Sequence, residues 1–123
     1  MHFIRYQVPA FLWFGVIYFL SSLPPSAYPI ISIPHIDKVV HAGIFFILCV
    51  LVDRAVTHQT MFPRLARFHL LVAIAAVILY GLIDEFHQSF VPGRGVDLLD
   101  TTADVAGGCL YLFMYSFRKI RTP

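Results

Sequence analysis

Hydrophobic and polar stretches alternate along this chain in four cycles. Hydrophobic segments cover residues 8–23, 39–52, 70–83 and 105–117. They are separated by a Pro/Ser-rich loop near residues 24–35, a basic loop near residues 53–69 and the turn sequence VPGRG at residues 91–95. Segments of this kind are typical of helices that cross a lipid bilayer. The pattern therefore predicts an all-α membrane protein, a bundle of four transmembrane helices.

The composition favours a membrane protein over a soluble one. Hydrophobic residues make up 59% of the 123 residues, and charged residues only 13%. A soluble domain usually carries about 25% charged residues to cover its surface. The length is enough for one domain, which we predict to span residues 1–123. The net charge of +2 is too small to suggest a nucleic-acid partner.

Two local features qualify this prediction. The first segment follows Arg5, as a signal peptide would, but Tyr18 and Phe19 are bulky where a cleavage site needs small residues. We therefore expect a retained helix. Cys49 and Cys109 lie inside hydrophobic segments without a second thiol at a recognisable spacing, so we expect two free, buried cysteines and no disulfide.

The positive charges predict the orientation of the helices. Seven of the nine lysines and arginines fall near the termini or in the second loop: Arg5, Arg54, Arg64, Arg67, Arg118, Lys119 and Arg121. The other two, Lys38 and Arg94, fall at the opposite ends of the segments. Because cytoplasmic ends carry the excess of Lys and Arg, we expect both termini in the cytoplasm and the first and third loops outside.

The last three hydrophobic segments are short for transmembrane helices. They contain only 13 or 14 uninterrupted residues, whereas a span of roughly 30 Å needs about 20. Extending each helix towards the outer side adds residues 37–43, 84–88 and 97–104. Ionisable groups at membrane depth are costly and usually face a cavity or one another. We therefore expect the polar residues of these extensions to meet in the outer leaflet.

Six of the seven acidic residues belong to the three extensions: Asp37, Asp84, Glu85, Asp97, Asp100 and Asp104. They are accompanied by Lys38, His41, His87, Gln88 and Arg94. Spacings of four positions put three pairs on shared helix faces: Asp37 with His41, Asp84 with Gln88, and Asp100 with Asp104. Gly81, Gly107 and Gly108 lie nearby, and small residues let helix backbones approach closely.

The charges of this group do not balance, and three explanations stay open. Even with both histidines protonated, at most four positive charges face six carboxylates. The group could be a structural network, or a metal-free acid/base site in which a carboxylate or histidine activates water. It could also bind a divalent metal, with ligands among His41, Asp84, Glu85, His87, Asp100 and Asp104, of which His41, Asp84, Glu85 and Asp100 rank first.

Two further residues bear on the chemistry. Arg94 lies in a turn flanked by glycines, where it could contact a phosphate or form an ion pair with Asp97 or Asp100. At the inner side the only acidic residue is Asp53, beside Arg54, and the middles of the helices are apolar. No polar path crosses the membrane, so a proton-coupled transporter is not favoured.

Three motifs in these extensions occur in a fixed order: DKVVH at residues 37–41, DEFHQSFVPGR at residues 84–94 and DLLDTTADVAGG at residues 97–108. Together they resemble the VanZ-like family of small bacterial membrane proteins, over roughly residues 15–115. The resemblance implies a role in the bacterial cell envelope, like that of accessory proteins associated with resistance to the glycopeptide antibiotic teicoplanin. It also implies residence in the inner membrane.

We therefore predict an acidic site at the extracytoplasmic side that acts on a lipid or polyprenyl-phosphate-type envelope molecule. A metal-assisted or acid/base hydrolase or transferase is one form of this hypothesis. The alternative is a non-enzymatic membrane protein that binds a lipid-linked precursor or an antibiotic. Catalytic candidates are Asp37, His41, Asp84, Glu85 and Asp100. Ligand-binding candidates are Lys38, Gln88, Arg94 and Asp104.

Overall fold

A computed structural model describes residues 2–29 and 33–121 of the chain. The remaining residues lie outside the description, including part of the Pro/Ser-rich loop, as do the side chains of His2, Ile120 and Arg121. The described helices are α1 (His2–Ser21), α2 (Ile36–Thr57), α3 (Pro63–Ala66), α4 (His69–Gln88) and α5 (Leu98–Arg121), with a 3-10 turn at Pro25–Ala27. The described residues contain no strand, so the predicted all-α class is confirmed.

The four long helices contain 20, 22, 20 and 24 residues. Three of them, α2, α4 and α5, continue through the polar extensions, as predicted. α2 begins at Ile36, α4 ends at Gln88 and α5 begins at Leu98, so each helix includes most or all of its polar extension. These polar ends meet where α1 and α4 finish and α2 and α5 begin, and we call this region the site end. The opposite end carries the basic loop and α3.

Three of the long helices are long and hydrophobic enough to cross a membrane. These spans are Phe3–Ser21, Ile36–Thr57 and His69–Gln88. α5 is also long enough, but Asp100 and Asp104 lie in its first turns, and Arg118 and Lys119 lie near its last. Its composition therefore does not mark it as a span. The chain is a membrane protein with three candidate spans, and the fourth predicted crossing is not established.

α2 is central in the bundle and packs against all three other long helices. The buried hydrophobic core consists of Ile17, Phe45, Leu48, Cys49, Val52, Ala73 and Val77. The hydrogen bonds that tie α1 to its neighbours include two to the middle of the helix: Trp13 Nε1 donates to the Ile44 carbonyl over 3.0 Å, and the Tyr80 hydroxyl donates to the Phe14 carbonyl over 2.8 Å. Long stretches of the outward faces remain hydrophobic and exposed, as a lipid environment requires.

Glycine allows α5 to approach α2 closely near the site end. A Cβ on Gly107 would lie 2.1 Å from the carbonyl oxygen of Ala42, far inside a van der Waals contact. The predicted close packing at this glycine is therefore confirmed. The cysteine prediction is correct in part, because both thiols are free and Cys49 is buried, but Cys109 is exposed. Cys109 follows the buried Gly107 and Gly108 and lies on the outward face of α5.

Candidate functional site

Lys38 lies among three carboxylates near the start of α2. Its Nζ is 2.5 Å from Asp97 Oδ2, 2.5 Å from Asp100 Oδ1 and 3.0 Å from Asp37 Oδ2. Asp97 precedes α5 and Asp100 lies in its first turn, so one cation joins the starts of two helices. The hydrogen bond from Lys38 lowers the pKa of the Asp97 carboxyl from its ordinary value.

His41 forms the second polar contact between α2 and α5. Its Nδ1 is 3.0 Å from Asp104 Oδ1, a hydrogen-bond distance, whereas its Nε2 is 3.8 Å from Asp100 Oδ2. Asp104 is only 1% exposed. Its Oδ2 lies against Gly81 of α4, where an added Cβ would be only 2.9 Å away. The absence of a side chain at Gly81 therefore makes room for the aspartate that orients His41.

Asp84 is buried and is bonded only to neutral groups. Ser21 at the end of α1 donates its hydroxyl proton to Asp84 Oδ1. Gln88, one turn further along α4, donates from Nε2 to Asp84 Oδ2 over 2.8 Å. Asp84 and Gln88 therefore share a helix face, as their spacing predicted. No lysine, arginine or histidine of the described residues forms an ion pair with Asp84.

Glu85 is also buried, but its carboxylate has a different environment. Its Oε2 accepts a hydrogen bond from the backbone N–H of Asp97 over 2.7 Å. Its Oε1 is buried and has no partner among the described residues. Asp97 Oδ1 in turn accepts from the backbone N–H of Leu99 over 2.9 Å, which caps the start of α5. Glu85 therefore fixes the turn that leads into α5.

Arg94 does not form the ion pair with Asp97 or Asp100 that one interpretation of the sequence expected. Both carboxylates bond to Lys38 instead. The Arg94 guanidinium lies over the ring of Tyr28, with its Cζ 5.2 Å from the ring centroid. No carboxylate of the described residues lies within ion-pair distance of it. A cation–π contact leaves the N–H donors at the guanidinium edge available to another partner.

A cavity of about 580 Å³ opens at the site end between α1, α2, α4 and the turn before α5. Six of the predicted site residues line it: Asp37, His41, Asp84, Gln88, Arg94 and Asp100. The other predicted residues, Lys38, Glu85 and Asp104, are not among the lining residues. Much of the remaining wall is hydrophobic, from Ile17, Leu20, Ile36, Val40, Ile44 and Phe45. The cavity therefore combines a polar part with an apolar part.

The family model described as VanZ/LLP1 matches residues 6–119, nearly the whole chain. The chain belongs to the VanZ-like family. The resemblance indicated by the three polar motifs is confirmed. No curated protein and no solved structure matches the chain.

The predicted metal site of this VanZ-like protein stays a prediction. Within residues 2–29 and 33–121, no three His, Cys, Asp or Glu side chains are grouped closely enough to hold a metal ion. Some buried oxygens are nevertheless without a partner among these residues: Glu85 Oε1, Thr101 Oγ1 and Asp104 Oδ2. Buried oxygens of this kind usually contact water or an ion, or carry a proton. These helices therefore still offer oxygen atoms of the kind that coordinate a metal.

Sequence reasoning missed several partners in this VanZ-like protein. Ser21 and Tyr28 both line the cavity, and each contacts a predicted site residue. Ser21 is the first serine of the LSS sequence at residues 20–22, at the end of α1. This short sequence was the signal that could have identified Ser21 as a site residue. Nothing in the sequence pointed to Tyr28, because it lies in an irregular loop. His87, a lower-ranked candidate, contacts Ser22 over 2.9 Å.

Proposed function

We propose that this VanZ-like protein resides in the bacterial inner membrane and binds a phosphate-bearing envelope lipid at its extracytoplasmic end. Glycerophospholipids and polyprenyl phosphates are the two kinds of ligand that share this chemistry. The proposal rests mainly on the cavity at the site end. This cavity combines apolar walls with polar side chains, and amphipathic ligands need both.

Arg94 is the residue we assign to the phosphate. Its guanidinium is held by Tyr28 rather than by a carboxylate, and the Tyr28 hydroxyl is in turn fixed to the Leu20 carbonyl. A guanidinium binds phosphate oxygens through two parallel N–H donors. The Gly93 φ angle of 82° belongs to the left-handed region that favours glycine, and it shapes the turn that presents Arg94.

His41 supplies the observation that favours chemistry over binding alone. It lines the cavity, and a buried aspartate holds its Nδ1. With the proton on Nδ1, Nε2 is left with a free electron pair that can accept a proton from water. In a hydrolase or transferase of this kind, His41 acts as base or acid, while Asp84 orients the attacking group. A divalent metal would add a Lewis acid if one binds.

The binding-only alternative is supported by the structural contacts that the other carboxylates make. Lys38 links Asp37, Asp97 and Asp100, and Glu85 fixes the turn before α5. These contacts explain the acidic residues as a scaffold around the cavity. Such a protein would hold a lipid-linked precursor or a lipid-tailed glycopeptide antibiotic and alter its access to the cell wall.

A measurement of enzymatic turnover distinguishes an enzyme from a protein that only binds the lipid. Purified protein is incubated in mixed micelles with phosphatidylethanolamine, phosphatidylglycerol or undecaprenyl phosphate, and products are identified by mass spectrometry. An enzyme forms product, and His41→Gln abolishes turnover while lipid binding persists. If no product forms but Arg94→Gln weakens binding, the protein is a binder. If the protein neither binds nor converts any of the three lipids, the proposed function is wrong.

The proposed topology has four crossings, with α5 as the fourth and both termini in the cytoplasm. This topology rests on the excess of Lys and Arg at cytoplasmic ends. Three arginines lie in or next to the loop of the opposite end: Arg54, Arg64 and Arg67. Single cysteines are placed at Gly95 and at Arg67 in a chain without Cys49 and Cys109. In intact spheroplasts, a membrane-impermeant maleimide should label position 95 and not position 67. The reverse labelling would invert the topology.

A further inference from the structure

The cavity contains two charged groups of opposite sign, and neither has a charged partner among the described residues. Arg94 lies over Tyr28 and has no carboxylate within ion-pair distance in this part of the chain. Among the same residues, Asp84 accepts hydrogen bonds only from a serine hydroxyl and a glutamine amide. Both line the same cavity of about 580 Å³. Asp84 is buried, and an isolated buried charge is costly, whereas the half-buried Arg94 keeps N–H donors available. Each group is therefore suited to a charged part of a ligand.

The other charged groups of the cavity wall already have partners among the described residues. A lysine ammonium has three N–H donors, and the Lys38 Nζ lies within 3.0 Å of three carboxylates. His41 is bonded to Asp104 through Nδ1. Neither cation is therefore free to neutralise Asp84. These pairings leave Arg94 and Asp84 as the two unmatched charges of the cavity wall.

A headgroup with only negative charge fits this wall poorly. Arg94 is the single arginine on the wall, and Lys38 is not a lining residue. Three carboxylates also line the cavity and oppose the single positive charge of Arg94: those of Asp37, Asp84 and Asp100. A phosphate monoester would be attracted by one guanidinium and repelled by these carboxylates. A headgroup that adds a cationic amine to its phosphate would offset that repulsion and satisfy Asp84.

We propose that the preferred ligand is a zwitterionic aminophospholipid, with its phosphate on Arg94 and its ammonium on Asp84. The proposal rests on the proposed function and narrows its ligand class. A primary ammonium donates hydrogen bonds to a carboxylate as lysine does. The acyl chains occupy the hydrophobic part of the wall, next to Ile44 and Phe45.

Native mass spectrometry of the detergent-purified protein tests this selectivity. Phosphatidylethanolamine and phosphatidylglycerol with identical acyl chains are added in equal amounts, and undecaprenyl phosphate is tested separately. The two glycerophospholipids share their phosphate and tails and differ in the amine. We expect the protein to retain phosphatidylethanolamine about tenfold more than either other lipid. The hydrogen bond from its ammonium to the Asp84 carboxylate is charge-assisted, and such bonds are stronger than neutral ones.

Three variants locate the selectivity. Asp84→Asn should remove the preference for the amine and leave phosphatidylglycerol binding intact, whereas Arg94→Gln should weaken both lipids. Asp97→Asn is the matched control: it removes a carboxylate that does not line the cavity and keeps a side chain able to cap α5. We expect this variant to keep the parent's preference.

The outcomes separate this inference from the proposed function. If phosphatidylglycerol or undecaprenyl phosphate binds as well as phosphatidylethanolamine and depends on Arg94, the aminophospholipid assignment is wrong and the phosphate site stands. If Asp84→Asn keeps the amine preference, the ammonium is not at Asp84. If none of the three lipids binds the parent, both proposals fail. Should Asp84→Asn not fold, the parent's ranking of the three lipids decides.

Discussion

The two ends of this helical bundle both bury a carboxylate, but they complete its hydrogen bonds differently. At the opposite end, Asp53 is 5% exposed and both of its oxygens have partners. Its Oδ1 is bonded to His69 Nδ1, and its Oδ2 accepts a hydrogen bond from the Tyr111 hydroxyl over 2.6 Å. These three side chains join α2, α4 and α5. None of them lines the cavity of the site end.

At the site end, several acidic side chains are buried and their bonding is incomplete. Asp84 has no cationic partner among the described residues and lines the cavity. One oxygen each of Glu85 and Asp104 is buried without a partner. A fully bonded carboxylate is explained by structure alone, whereas unmatched groups beside a cavity indicate a ligand. The comparison therefore assigns architecture to the opposite end and supports the proposed binding at the site end.

The largest expected effect comes from Gly107→Ala, which tests the packing that brings the site end together. The added Cβ would lie 2.1 Å from the Ala42 carbonyl oxygen, so α2 and α5 must separate. We expect a loss of about 3 kcal/mol or more in the free energy of unfolding, measured in mixed detergent micelles. Gly43→Ala is the control, because no atom outside its chain neighbours and the adjacent backbone of its own helix lies within 4 Å of the added Cβ. Equal stability of the two variants would contradict this packing.

Tyr111→Phe tests the opposite end. It removes the donor to Asp53 Oδ2 and leaves a buried carboxylate oxygen without a partner. We expect a loss of about 2 kcal/mol in the free energy of unfolding, with the amount of lipid per folded protein unchanged. Tyr115→Phe on the same helix is the control, and it should cost little. If Tyr111→Phe instead reduced bound lipid, the opposite end would have a role in binding.

Arg94→Gln tests the assignment of the phosphate. Removing the guanidinium should lower retained phospholipid about tenfold, equivalent to about 1.4 kcal/mol, while the thermal midpoint changes little. The control is Arg67→Gln, which removes an exposed arginine from the opposite end. Lipid is extracted from equal amounts of each purified protein and quantified by mass spectrometry. The assignment fails if both variants retain the same amount of lipid as the parent.

The smallest expected effect is that of Glu85→Gln. The variant keeps an oxygen for the Asp97 N–H and removes a buried negative charge that has no cationic partner among the described residues. We expect a gain of about 1 kcal/mol in the free energy of unfolding. A loss of stability together with a bound divalent metal that disappears in the variant would instead make Glu85 a metal ligand.

The helices were the most predictable part of the structure. The hydrophobic segments were too short for a span, and this shortfall correctly predicted that α2, α4 and α5 continue into their polar residues. Residue type and segment length are local properties, so a single sequence contains them. The short helix α3 was not predicted, because one turn after Pro63 leaves no periodic pattern.

The membership of the site was easier to predict than its pairings. Extension to one side predicted that the polar residues meet at one end, and six of the predicted site residues line the cavity there. Asp97 and Asp100 pair with Lys38 rather than with Arg94. This pairing depends on how each helix is rotated and shifted along its axis, which sequence spacing alone does not determine. The pairing of Asp53 with His69 was missed. Both residues flank the same loop, which was an available signal for contact between antiparallel helices.

The measurement that tests this contrast most directly pairs Asp84→Asn with Asp53→Asn. The two substitutions make the same chemical change to one buried carboxylate at each end. Thermal midpoint and the ratio of phosphatidylethanolamine to phosphatidylglycerol retained are measured on each purified protein. We predict that Asp84→Asn changes the lipid ratio with a small change in midpoint, and that Asp53→Asn lowers the midpoint by several degrees with the ratio unchanged. The same response from both variants would contradict the division between a binding end and a structural end.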